Sequence, residues 1–254
     1  MNSKMTDNTN QSGQYGMSMT TCDYIVAHQL LELQPTRIVD FGAGAGKYGQ
    51  LIRQTLGREV LVTAVEGAPD TVSWLIQQNL YDRVDGKLIQ EWLATNSQHH
   101  DVAIFGDVLE HLTPGEIHQV MRLCLPVFRA IIIVCPLHDI FQDESYGNPL
   151  EVHRTYVTDN FFDSYDTREK HIVRCGAWLM MNVLIDTVQQ KPDRLVRLVS
   201  RLFHYSVLLL QPLGIARPIV SFAKNHFLRY KWLLGRSQHP GKSDRDHHGS
   251  SHDH

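Results

Sequence analysis

The hydrophobic pattern switches period repeatedly along the chain. Ile25, Val26, Leu30, Leu31 and Leu33 fall near helical spacing, and Pro35 ends that run. Thr20 or Thr21 is the expected helix cap. Residues 38–41 read as a short buried strand, 48–56 as a helix and 60–65 as a second strand ending at Glu66. A helix follows over 70–81, with Asp70 as its cap after Pro69. Residues 84–90 form a weak third strand, leading into Glu91 and Trp92. Residues 101–106 give a fourth strand and 113–128 a helix. The continuous apolar run 130–135 gives a buried central strand ending at Pro136. A loop over about 137–150 is long enough to be functional. After it come a helix from Thr158 and a hairpin of 170–174 with 178–185 around Cys175-Gly176-Ala177. Strands alternating with helices predict an α/β domain built on a mostly parallel sheet.

The junction of the first strand and the next helix is Asp40-Phe41-Gly42-Ala43-Gly44-Ala45-Gly46-Lys47-Tyr48-Gly49. Such a turn sets free backbone N–H groups beside a ligand at the sheet's carboxyl edge. Gly44, Gly46 and Gly49 fit the dinucleotide fingerprint, and S-adenosylmethionine (SAM) is the other ligand that uses such a turn. Asp40 bears on the choice. A carboxylate there repels a pyrophosphate and attracts the ammonium and sulfonium of SAM. Lys47 argues the other way, since it can pair with phosphate. Glu66, about twenty residues on, suits ribose hydroxyls in either ligand.

An acidic residue followed by G-x-G-x-G, with the later segment Asp107-Val108-Leu109-Glu110-His111-Leu112, resembles the class I SAM-dependent methyltransferases. The resemblance spans about residues 20–186. It implies a Rossmann-like, seven-stranded, mostly parallel sheet with an antiparallel terminal strand and helices on both faces. It also implies SAM as cofactor, held by Asp40, Gly42, Gly44, Gly46, Glu66 and Asp107, with Glu91 near the adenine amino group.

Methyl transfer to an alcohol or phenol calls for a positioned acceptor and a general base. His111 and His153 are the candidates, each just beyond the carboxyl end of a strand. Asp107, Glu110 and His111 stand at i, i+3 and i+4, and with His153 they make a set suited to a divalent metal. A similar Glu-x-x-Glu-His plus distant His arrangement occurs in small-RNA 3′-end 2′-O-methyltransferases, which makes RNA methylation one alternative. A metal-free catalytic histidine is the preferred reading. A non-catalytic SAM-binding or scaffold subunit is a third.

Charge divides the chain. Residues 187–236 hold nine Lys and Arg against one acid, Asp193, although the whole chain carries a formal charge of −3. Residues 193–211 read as a helix with Arg194, Arg197, Arg201 and His204 along one arc and apolar residues elsewhere. Neither this run nor 219–234 offers the roughly 20 uninterrupted apolar residues that span a bilayer. A basic amphipathic extension predicts peripheral docking on the inner face of a membrane, with an active-site cap or a dimer face as the alternatives. Nucleic acid is disfavoured because the arginines alternate with apolar surface. Residues 1–19 and the His-rich 237–254 are expected to be disordered. No signal-peptide pattern begins the chain, and the four cysteines form no C-x-x-C pair, so a cytoplasmic protein with reduced thiols is expected. The acceptor expected is a small molecule or a lipid-linked glycan or isoprenoid.

Overall fold

The computed structural model describes residues 19–137, 142–144 and 148–187. The expectations for 1–18, for the basic segment beyond 187 and for the tail lie outside these residues. In chain order the elements are α1 (Asp23–Leu33), β1 (Arg37–Phe41), α2 (Lys47–Leu56), β2 (Leu61–Glu66), α3 (Pro69–Gln78) and β3 (Arg83–Gly86). Then come α4 (Ile89–Thr95), β4 (His100–Gly106), α5 (Pro114–Cys124), β5 (Phe128–Pro136), β6 (Thr167–Cys175) and β7 (Trp178–Asp186). Among the described residues no helix is long and apolar enough to cross a membrane.

The strands form one seven-stranded sheet in the order β3-β2-β1-β4-β5-β7-β6. β1 to β5 run parallel, and β7 enters antiparallel between β5 and β6. A dinucleotide-binding sheet ends in a parallel sixth strand, 3-2-1-4-5-6. The antiparallel β7 makes this the class I SAM-dependent methyltransferase fold. Strand order reverses between β1 and β4, which opens a crevice above their carboxyl ends, where ligands bind in such sheets.

Period-two alternation sends successive strand residues to opposite layers. On β1, Ile38 packs with Leu30, Ile52 and Leu75 of α1, α2 and α3. Val39 and Phe41 pack with Trp92 of α4 and Ile117 of α5 on the other face. Phe41 stacks on Phe105 with centroids 4.8 Å apart and meets Trp92 edge-on. Each such side chain contributes about 1.5–3 kcal/mol of burial, and the two layers hold the central strand ends rigid.

Several local expectations change. A 3-10 turn, Thr20–Cys22, precedes α1, and neither threonine caps it through its side chain. Ala68 is the N-cap of α3, Pro69 is its first residue, and Asp70 lies two places past the cap. β3 stops at Gly86, and residues read as its continuation form α4 instead, with Glu91 closing back on the Leu88 N–H. Among the described residues no helix follows Thr158. Phe161, Asp163 and Tyr165 donate to carbonyls three residues back, giving successive turns that set Phe162 into the core. The hairpin β6–β7 turns through Gly176, whose φ of +61° suits glycine.

Candidate active site

The glycine turn leaves β1 at Phe41, and Gly42 extends the ladder by donating its N–H to Val65. Gly42 has φ +64°, and a Cβ there would stand 2.4 Å from a Val108 methyl, so the turn requires glycine. Gly42, Ala43 and Gly44 form one wall of a cavity of about 450 Å³ at the carboxyl edge of the sheet. Glu66 ends β2 on the adjacent wall. Its carboxylate accepts from Gly44 N–H at 3.0 Å and from Ala68 N–H at 2.9 Å. Each carboxylate oxygen keeps a further lone pair for a hydroxyl ligand.

Asp40 stands elsewhere than its place in the motif suggests. It shares the Ile38 face of β1, is 1% exposed, and does not line the cavity. Tyr81 donates its hydroxyl to Asp40 Oδ2 at 2.6 Å and accepts from Gly49 N–H at 3.0 Å. A Cβ on Gly49 would meet the Tyr81 ring at 2.4 Å, so the last glycine of the fingerprint makes room for this bridge. Burial pushes the Asp40 carboxyl up to about 7, against the stabilising pull of the Tyr81 hydroxyl. Gly46 caps α2 with φ +84° and faces Leu75 and Leu80 rather than the cavity. Glu91 sits exposed on α4, also away from the cavity. Leu88 and Ile89 line the cavity there instead.

Lys47 lines the cavity but is engaged. Its ammonium pairs with Asp23 at 2.6 Å and donates to the Met19 carbonyl at 2.6 Å. Met19 in turn donates its N–H to Asp107 Oδ2 at 3.1 Å. The cation that argued for a phosphate ligand is thereby used inside the protein.

Another part of the cavity wall is built by two segments zipped together. Arg154 and Thr155 both donate N–H to the Glu110 carbonyl, at 2.8 and 3.0 Å, and the Thr155 hydroxyl donates to Leu112. His153 N–H donates to Gln142 at 3.0 Å. These bonds bring the His153 ring to His111, with centroids 5.0 Å apart. His111 Nδ1 donates to the Val152 carbonyl at 3.3 Å. Burial and then the neighbouring His153 lower the His111 pKa to about 4, so its ring is neutral at ordinary pH. Glu110 is 2% exposed, and burial followed by the Asp107 charge raises its pKa well above the usual carboxylate range.

Asp107 does not share a helical face with Glu110 and His111. It takes φ +52°, and a 3-10 turn begins only at Leu109. The groups whose ligand atoms lie within 4.8 Å of one another are Glu110, His111 and His153. The structure thus gathers Gly42, Gly44, Glu66, Asp107, Glu110, His111 and His153 around one cavity and leaves Asp40, Gly46 and Glu91 outside it. Trp178 and Met180 of β7 also line it, although nothing in their sequence pattern marked them.

The cofactor implied by the fold fits this cavity. Positive-φ glycines let a ligand approach the backbone, Glu66 faces it beside them, and Leu88 and Ile89 supply apolar surface.

No protein-family model and no curated protein sequence matches the chain. Among solved structures, a SAM-dependent methyltransferase from Archaeoglobus fulgidus aligns at 13% identity over 65% of this chain and 94% of its own, with TM-score 0.47. The plantazolicin methyltransferase BpumL in complex with SAH aligns at 13% identity over 65% and 82%, with TM-score 0.48. TehB from Haemophilus influenzae aligns at 12% identity over 65% and 61%, also with TM-score 0.48.

Proposed function

We propose that this chain is a SAM-dependent methyltransferase that methylates an oxygen of a small or lipid-linked acceptor. The observation that carries this reading is that one cavity joins two sets of groups. A glycine turn with Glu66 lines it, and so do Glu110, His111 and His153. The first set suits a nucleoside and the second suits removal of an acceptor proton. Bound SAM would supply an electrophilic methyl on sulfonium. The chain's own groups then hold the acceptor in line and take its proton. Trp178 is 50% exposed at the cavity, and Leu88 and Leu150 are also exposed there, which favours an acceptor with an apolar part.

Calorimetry tests the cofactor half. S-adenosylhomocysteine (SAH), the demethylated product, binds and NADH does not; the reverse result refutes the assignment. Glu66→Ala is expected to weaken SAH binding by about 1–3 kcal/mol, because it removes the acceptor for ribose hydroxyls and releases the Gly44 N–H. Unchanged affinity removes Glu66 from the site.

The lipid-linked version draws on the basic stretch 187–236 of the sequence. Each Lys or Arg near an anionic surface contributes about 1 kcal/mol. Co-sedimentation of the full chain with anionic vesicles is expected to fall when Arg194, Arg197 and Arg201 are all replaced by Glu. Equal sedimentation, or none for the native chain, leaves only the soluble acceptor.

A further inference from the structure

Three side chains converge in the wall of the cavity. Glu110 is buried, lines the cavity, and its Oε2 has no hydrogen-bond partner among the described residues. An unpaired buried carboxylate oxygen costs free energy unless something outside the chain satisfies it. His111 and His153 stand beside it, with ligand atoms of all three within 4.8 Å of one another. A hydroxyl or a water can answer one oxygen. One carboxylate oxygen beside two imidazoles is a donor set that suits a cation.

We propose that Glu110, His111 and His153 form a divalent-metal site whose open face receives the acceptor oxygen. The metal site rests on the geometry alone; its service to the acceptor rests on the methyl-transfer reading above.

Two imidazoles and one carboxylate favour a first-row transition ion such as Mn²⁺, Co²⁺ or Zn²⁺ over Mg²⁺ or Ca²⁺, which prefer oxygen ligands throughout. His111 is prepared as a ligand. Its Nδ1 stands 3.3 Å from the Val152 carbonyl, and the tautomer that donates there carries its lone pair on Nε2. His153 is held through its own backbone N–H to Gln142, so small side-chain rotations can close the set to coordination distance. Three protein ligands leave further positions open, as in sites that bind substrate.

The set differs from the four-residue pattern in the sequence. Asp107 lines the same cavity but lies outside the set of ligand atoms within 4.8 Å, and it accepts from Met19 N–H, so it adds charge near the ion rather than a ligand atom. The open face then points into the cavity, where an acceptor oxygen can complete the shell and lose its proton more readily.

The test uses the full chain with His247, His248, His252 and His254 replaced by Ala in every arm, since the tail can bind metal by itself. Chelator-treated protein is titrated with Mn²⁺, Co²⁺ and Zn²⁺ by calorimetry, and Co²⁺ binding is also followed by its visible absorption. One ion per chain is expected. Glu110→Gln and His153→Ala should each weaken it by at least 10–100-fold. SAH binding is measured in the same samples. Metal binding absent for all three ions, or unchanged in both variants, overturns the proposal. Should Glu110→Gln lose SAH binding through misfolding, His153→Ala decides alone, because its backbone anchors remain. Intact SAH binding without metal refutes the site and leaves the methyl-transfer reading standing; metal without SAH does the opposite.

Discussion

Asp40→Asn is expected to stabilise the ligand-free protein progressively as pH rises from about 4 to 7. The native carboxyl titrates near 7, chiefly because it is buried, against an ordinary value of 3.8 in the unfolded chain. Below 3.8 both states hold the proton, and the contribution of Asp40 to stability is fully present. Between 3.8 and about 7 the unfolded chain releases its proton and the native state keeps it, so native stability declines with pH. Above about 7 the loss is complete. The gap between 3.8 and about 7 corresponds to a free energy on the order of 4 kcal/mol, or roughly 10 °C in Tm for a domain of this size. Asparagine keeps an acceptor for the Tyr81 hydroxyl and does not titrate. Any fixed cost of the substitution shifts the whole curve without changing its slope. Thermal melts of both proteins from about pH 4 to 8 read the difference. A Tm gap that stays flat over that range shows that Asp40 titrates normally and that its burial costs little.

The same residue shows where sequence reading succeeds and where it stops. Strand β1 was legible because its apolar run is flanked by breakers, and β5 because 130–135 is apolar throughout. The hairpin followed from Cys175-Gly176-Ala177 between two strand-like runs, of which β6 alternates and β7 is buried almost throughout. Asp40 belongs to the same strand, yet its direction depends on parity. The strand's last residue is Phe41, so Asp40 points back with Ile38 beneath the loop rather than out of its edge. Its partner Tyr81 is 41 residues away, on a connection that no local pattern ties to β1.

Short elements failed for related reasons. β3 is four residues long and half-buried, so its pattern is thin, and Leu88 and Ile89 read equally as strand or helix. That ambiguity displaced Glu91 from its expected role. The segment 107–111 has helical spacing in its polar residues, but the chain first passes through a left-handed residue and then a 3-10 turn. All three residues reach the cavity by that route, but Asp107 accepts from Met19 N–H and only Glu110 and His111 come together with His153. His153 was legible only as a histidine beyond a strand. What delivers it is a pair of backbone bonds to the Glu110 carbonyl, which side-chain identity does not encode.

His153→Ala is expected to reduce methyl transfer by about 10²–10⁴-fold while changing SAH affinity less than about twofold. The backbone of 153–155 is held by Gln142 and by the Glu110 carbonyl, so alanine removes the ring and leaves the wall in place. Around Gly44 and Glu66 the expected cofactor site is held by its own bonds, Glu66 accepting from the Gly44 and Ala68 N–H groups. Transfer is followed as labelled methyl passing from SAM into a metabolite and lipid extract of cells lacking this chain. Two further arms separate the ways the ring can act. If it takes the acceptor proton directly, excess Mn²⁺ or Co²⁺ does not restore turnover and chelator does not abolish it in the native chain. If it holds an ion with Glu110 and His111, chelator silences the native chain and excess metal recovers part of the variant's rate, by mass action on a weakened site. Equal transfer by native and variant chains removes His153 from the chemistry. No transfer by the native chain from any fraction, with SAH still bound tightly, favours the scaffold subunit, for which the same cavity serves only to sense or store the cofactor.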